Sequence, residues 1–245
     1  MKRPTMKFVA IKSVEQLDLQ ALHRVRERLV SQRTGVINQI RAFALERDVP
    51  VRQGSAALRA ELRLILATSS KLSPRMMEII RGLAEDWRYL DGRINALSSE
   101  IKTIAKRNTE CRRLMTIPGV GPIISTAMVA AIGTGDIFAR ARDFGAWLGL
   151  VPRQNSTGGR QTLGRISKRG NTYLRVLFVQ AAHAVLKRRA SWERHGLRAW
   201  IETAAQRLSR MKLAVALAHK LARIAWGVLV GGRNFEVMTR SVQVH

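Results

Sequence analysis

Leu83, Leu90, Leu97 and Ile104 recur every seven residues, and Trp87, Ile94 and Ile101 each follow four residues after one of the leucines. Such spacing returns apolar side chains to one stripe of a helix for roughly three heptads, with Arg, Asp, Lys and Glu outside the stripe. The helix opens at Pro74, a residue tolerated in a first turn, and runs to about Asn108. Two packings can use the stripe. One is a coiled-coil arm that pairs subunits; the other is an amphipathic helix laid on an earlier helix of the same chain. An antiparallel hairpin combines them. The earlier helix starts near Ser13, with Gln16 at the capping-box position, and keeps its spacing through Leu17, Ala21, Val25, Leu29, Val36, Ile40 and Phe43 to about Glu46. Pro50 and Gly54 punctuate the chain, and a shorter helix follows from about Ser55 to Ser69. Residues 1–12 read as extended.

Near Cys111 the pattern changes to a compact, basic, glycine-punctuated half that ends in the helical stretch "AVALAHKLARIAWGVLVGG". The expected fold is all-α. Residues 1–110 form a helical linker and coiled-coil region, and residues 111–245 form a compact helical domain containing a helix-hairpin-helix. The lone cysteine excludes an intrachain disulfide, and no Cys/His cluster has zinc spacing. The basic N-terminus lacks the apolar core of a secretory signal. The longest uncharged run, Leu114 to Gly135, is broken by "PGVGP" and is too short to span a bilayer. These features predict a soluble, cytoplasmic protein that does not engage a membrane.

Charge narrows the function. Forty-three Lys and Arg against 17 Asp and Glu give +26 and a pI near 11.8. From Arg112 onward, 22 Lys/Arg face five acids; the first 111 residues hold 21 and 12. Such an excess repels itself and calls for a polyanionic partner. Nucleic acid is the leading one, an anionic membrane surface the other.

Two motifs carry the chemistry. The first is "LMTIPGVGPIISTAMVAAIG", Leu114 to Gly133. Gly119, Val120 and Gly121 form a turn whose backbone N–H groups, with the start of the next helix, can meet a DNA phosphate without reading sequence. A ligand-free helix–helix turn is the plainer alternative. The second is "VPRQNSTGGRQTLGRISKRGNTYLR", Val151 to Arg175, which holds no acid. Gly158, Gly159 and Gly164 permit close backbone approach to an anion. Arg153, Arg160, Arg165, Lys168, Arg169 and Arg175 supply charge, and an arginine fork grips phosphate through two bonds. A hydroxyl among them, Ser156 or Thr157, is a candidate nucleophile; a loop that only contacts phosphate is the blander reading. Trp147, Trp192, Trp200 and Trp226 read as core and His183 as an ordinary helix residue. Lys187, Arg188 and Arg189 either track a phosphate backbone or form a solvated face.

"IPGVGPIISTAMVAAIG" followed by "DFGAWLGLVPRQNSTGGRQTLGRISKRGNTYLR" resembles the C-terminal transposase domain of the insertion-sequence one-ten family, the DEDD-type, bridge-RNA-guided recombinases of bacterial mobile elements. "RPTMKFVAIKS" with "LHRVRERLVSQRTGVINQIRA" resembles the family's segment just after its N-terminal domain. The resemblance implies a serine that attacks a DNA phosphate and becomes covalently joined to it. It also implies a coiled coil that mediates assembly, a guide RNA, and an N-terminal domain whose four acids bind divalent metal. Ser156 is the position that best matches the serine, Thr157 the second and Ser167 a distant third. No acid here matches the metal-binding tetrad. The expectation is therefore a truncated transposase with no metal site of its own, needing Mg²⁺ only together with the acidic domain. Its partners would be DNA, guide RNA and a second copy of the chain. A non-catalytic nucleic-acid-binding module is the alternative. A repair-type helix-hairpin-helix protein ranks below both, since it has no need of the basic loop.

Overall fold

A computed structural model describes residues 11–68, 71–157 and 160–236. The chain is mainly helical, with ten helices among the described residues: α1 (Val14–Leu45), α2 (Ser55–Thr68), α3 (Pro74–Arg107), α4 (Thr109–Leu114), α5 (Pro122–Ile132), α6 (Ala141–Trp147), α7 (Thr172–Lys187), α8 (Arg189–Arg194), α9 (Arg198–Ala205) and α10 (Arg210–Gly231). One departure from the all-α expectation falls on the basic motif. It folds as an antiparallel hairpin, β1 (Pro152–Thr157) and β2 (Arg160–Ile166).

The helix boundaries follow local chemistry. Ser13 and Gln16 cap α1 reciprocally: the Ser13 N–H donates to Gln16 Oε1 at 3.0 Å, and the Gln16 N–H donates to Ser13 Oγ at 3.2 Å. Ser73 Oγ accepts from the Met76 N–H ahead of α3, with Pro74 in the first turn. Asn108 ends the α3 run in an extended conformation and caps α4 by accepting from the Cys111 N–H. Gly232, left-handed at φ 61°, stops α10.

The described residues pack as two units, those of 11–20 with those of 101–236, and those of 21–100. In the second unit α1, α2 and α3 share a core of Ile37 and Ile40, Leu58, Leu62 and Ile65, and Ile80, Ala84 and Trp87. Asp91 on α3, 18% exposed at its side chain, accepts from Arg33 of α1 and Arg59 of α2 and so ties the three helices together. The heptad stripe divides. Trp87 and Ile94 are buried inside the chain, while Leu83, Leu90 and Leu97 stay half-buried.

In the first unit α10 lies against α7, α6, α9 and α4. Ala214, Ala218, Ala222 and Ala225 on α10, with Ala181 and Ala182 on α7, are almost fully buried. Small side chains at four-residue spacing let helix backbones approach closely. α10 is long and apolar enough to cross a membrane, yet its apolar face is spent on this core. Gln16 and Gln20 of α1 donate to the carbonyls of Val129 and Ala130, in the last turn of α5. Ala130 O, in the last turn, takes a partner from beyond the helix, and Val129 O accepts the Gln16 amide in addition to the Gly133 N–H.

Candidate functional site

The hairpin stands on a locked base. The Ser167 N–H donates to Val151 O at 2.8 Å, the Lys168 N–H to Gly149 O at 3.1 Å, and the Asn171 N–H to Trp147 O at 3.1 Å. The two crossing segments are too close for side chains at Gly149 and Gly170. A Cβ on Gly149 would collide with the Arg169 backbone, and one on Gly170 with Trp147 O. Both glycines have positive φ, 70° and 81°, so the conformation itself also disfavours a side chain. Lys168 adopts φ 55° without that excuse, held by its bond to Gly149. Beneath the crossing, Phe144 and Trp147 stack at 6.0 Å between ring centroids, and Phe144 meets Phe178 of α7 edge-on at 6.3 Å.

Arg175 closes the base from within. It is 9% exposed, and its guanidinium donates to Leu148 O at 2.9 Å, Arg169 O at 3.2 Å and Thr172 Oγ1 at 3.0 Å. Expected as a surface phosphate ligand, it instead spends its fork on the segments that carry the hairpin. Arg153, Arg160, Arg165, Lys168 and Arg169 are exposed. Arg153 also reaches Ser167 O at 3.3 Å. Gly164 faces the Arg153 carbonyl across the bulge that shifts the register between Pro152 and Gln154. Gly158 and Gly159 lie outside the described residues.

Every residue of β1 is exposed. Ser156 pairs with Gln161 and Thr157 with Arg160. Successive strand residues point to opposite faces, so Ser156 shares its face with Gln154, and Thr157 shares the other with Arg160. Ser156 Oγ accepts from Gln154 Nε2 at 2.8 Å, which leaves its own proton free to be given away. Ser167 sits half-buried at the base, its Oγ accepting from the Arg169 N–H. No acidic residue occurs between Asp143 and Glu193. Among the described residues no three of His, Cys, Asp and Glu come together as a metal site. Cys111 is no competing nucleophile: burial pushes its thiol up to about 12 against a hydrogen bond with Ser125 that lowers it, and Glu110 adds to the rise.

The turn between α4 and α5 is less open than its sequence suggests. Val120 is 5% exposed and its N–H donates to Ile117 O. Gly119, at φ 79°, packs on α7, where a Cβ would lie 2.9 Å from both Ala181 O and Val185 Cγ2. Gly121, the N-cap of α5, has open space around its Cβ position. Of the three turn residues, Gly119 is exposed, Val120 is buried, and Gly121 is half-buried with open space beside its Cβ position.

These features define a mainly helical protein that carries an acid-free, exposed, basic hairpin on a rigid base. Residues 111–200 match the family described as Transposase IS116/IS110/IS902. The chain is 42% identical over 229 residues to a "Probable family 20 transposase" of Pseudomonas aeruginosa, covering 93% of this chain and 68% of that protein. It is 39% identical over 236 residues to "Transposase for insertion sequence element IS1328" of Yersinia enterocolitica, covering 95% and 69%. It is 38% identical over 229 residues to "Transposase for insertion sequence element IS1111A" of Coxiella burnetii, covering 93% and 62%. The chain belongs to this transposase family, and it spans about two thirds of the length of these relatives.

Proposed function

We propose that this chain acts in transposition of an insertion sequence, holding DNA with its basic hairpin and attacking a DNA phosphate with Ser156. The observation that carries the reading is an exposed serine on a rigidly based strand with no acid nearby in sequence, in a chain of this family. In the step, Ser156 Oγ forms a bond to phosphorus as the bond from phosphorus to the leaving strand's oxygen breaks. The serine proton passes to a base and the leaving oxygen gains a proton. Exposed guanidinium groups stabilise the charge that develops on the phosphoryl oxygens. They cannot accept the proton, so the base is a group other than the arginines that flank Ser156 in sequence. Among the described residues no three of His, Cys, Asp and Glu form a cluster fit for a divalent cation.

Gly121 and the N-terminus of α5 form a second phosphate contact, the hairpin of a helix-hairpin-helix. The half-buried leucines of α3 pair two copies as a coiled coil, and guide RNA joins DNA as a partner. In domain terms, residues 1–110 are the assembly arm and residues 111–245 the DNA-handling domain. A binding-only role is the second reading; the lack of any acid between Asp143 and Glu193 to take the serine proton favours it. DNA binding is tested by charge reversal on the hairpin. Arg160→Glu with Arg165→Glu should weaken duplex affinity about tenfold or more. The slope of log K against log salt should fall by about 0.9 for each phosphate that is no longer neutralised. A wild-type affinity that ignores salt between about 50 and 200 mM contradicts the reading.

A further inference from the structure

The solvent face of α7 differs from those of α1, α3 and α10. Thr172, Val176, Gln180, Ala184 and Lys187 are exposed, three or four residues apart and so on one side of the helix. Leu174, Phe178, Ala181 and Val185 bury the other side. The exposed sides of the other long helices carry charge along their length: Glu15, Arg24 and Arg28 on α1, Arg81, Glu85 and Arg88 on α3, Arg210 and Arg223 on α10. On α7 no charged residue stands between Arg175 and Lys187, and Arg175 is turned into the hairpin base. The charge lies at the two ends instead. Lys168 and Arg169 precede the helix, whose first turn holds no acid, and Lys187 and Arg188 close it. All four are exposed, and none forms an ion pair among the described residues. The 16 residues of α7 separate the two basic ends by roughly 24 Å at the usual helical rise.

We propose that this face of α7 lies in the major groove of a DNA duplex, its uncharged middle against base edges and its basic ends on phosphates. The proposal rests on the nucleic-acid reading above and names the element that enters the groove. The major groove of B-form DNA admits an α-helix. Cations serve where the phosphate backbones pass; over the floor of the groove, small and hydrogen-bonding side chains serve better. The distribution on α7 follows that division. Gln180 presents an amide that both donates and accepts, Ala184 is small enough for close approach, and the four cations stand outside them. A protein partner would instead call for large apolar or aromatic anchors. Val176, 46% exposed, is the one large apolar side chain that α7 leaves in the open. The same helix carries the hairpin base at its start, so a duplex held by the hairpin's arginines already lies at the end of this face.

The test uses the full chain and two fluorescent DNA duplexes of one sequence. One is plain; in the other, glucosylated 5-hydroxymethylcytosine replaces cytosine. The sugar fills the major groove and leaves the phosphates as they were. Wild type should bind the plain duplex about tenfold more tightly than the glucosylated one. Gln180→Glu with Ala184→Glu puts two good helix formers of the wrong charge on the face. This variant should keep its helical circular dichroism, bind the plain duplex about tenfold or more weakly, and lose the preference for it. The neutral pair Gln180→Ala with Ala184→Leu should lose the preference as well, which separates groove contact from charge repulsion. The hairpin variant Arg160→Glu with Arg165→Glu should bind both duplexes more weakly and keep the preference. Equal wild-type affinity for the two duplexes, or a preference that survives in both α7 variants, overturns the proposal while leaving the hairpin reading intact. A wild-type chain that binds neither duplex at low salt overturns both.

Discussion

Gly119 and Gly121 stand two residues apart and serve different ends. Gly119 needs its positive φ and sits against α7, so Gly119→Ala should cost stability, about 1–3 kcal/mol from backbone strain and the clash with Ala181. Gly121 has φ −105°, which any residue adopts, and open space beside it. Gly121→Val should therefore keep the helical circular dichroism and the melting temperature. If a phosphate rests on this turn, it should weaken DNA binding by about 1–3 kcal/mol, the worth of charge-assisted hydrogen bonds. Unchanged affinity assigns the whole turn to packing. The sequence "PGVGP" marks the turn but cannot separate these two glycines, because the difference lies in α7, some 60 residues further on. Arg175 teaches the same lesson. A run of six basic residues reads alike until the fold turns one of them inward.

His23 is 3% exposed on α1, and burial, with a smaller push from Arg26, lowers its pKa to about 4. It is neutral in the folded chain at pH 7. In the unfolded chain it takes up a proton near its ordinary value of 6.5. The unfolded state therefore gains protons first as pH falls. Stability should decline from about pH 6.5 and level off below about pH 4, by up to about 3 kcal/mol from this group. Urea unfolding of wild type and His23→Leu at pH 7 and pH 4.5 checks this. The variant should lose less stability between the two pH values, and equal losses exclude His23 as the cause.

The helices are the most legible elements. Ser13 with Gln16, Ser73 with Pro74, and the heptad leucines place α1 and α3 within a residue or two, because capping and periodicity are local. The hairpin is not legible in that way. β1 is exposed along its whole length, so no buried face imposes an apolar alternation. The remaining cue is Gly158-Gly159 between two polar runs, a two-residue spacing that suits a hairpin as readily as an open loop. On α3 the periodicity announces one seam where the fold makes two rows of different burial. Leu90→Asp with Leu97→Asp places charge in the half-buried row and spares Trp87 and Ile94. Light scattering should show a dimeric wild type becoming monomeric, with helicity retained. A monomeric wild type, or an unchanged mass in the variant, makes the row an intrachain packing feature.

At the scale of the whole molecule, charge and site tell one story. The basic excess gathers in the half that carries the hairpin and the Gly121 turn, and three acids follow Asp143. Two of those three are bound to Arg198. Such a surface can hold a polyanion and stabilise a phosphoryl transition state, and no acid stands between Asp143 and Glu193 in the sequence that carries Ser156. On the proposed reading, the proton acceptor for Ser156 comes from beyond that acid-free stretch. The most direct measurement is covalent capture. The chain is combined with DNA, guide RNA, Mg²⁺ and the acidic N-terminal domain that the family resemblance implies. The mixture is then denatured, digested and mapped by mass spectrometry. A phosphonucleotide on Ser156 is expected, abolished by Ser156→Ala while DNA affinity stays within about threefold, the worth of one neutral hydrogen bond. Attachment at Thr157 or Ser167, or no adduct in the complete mixture, contradicts it.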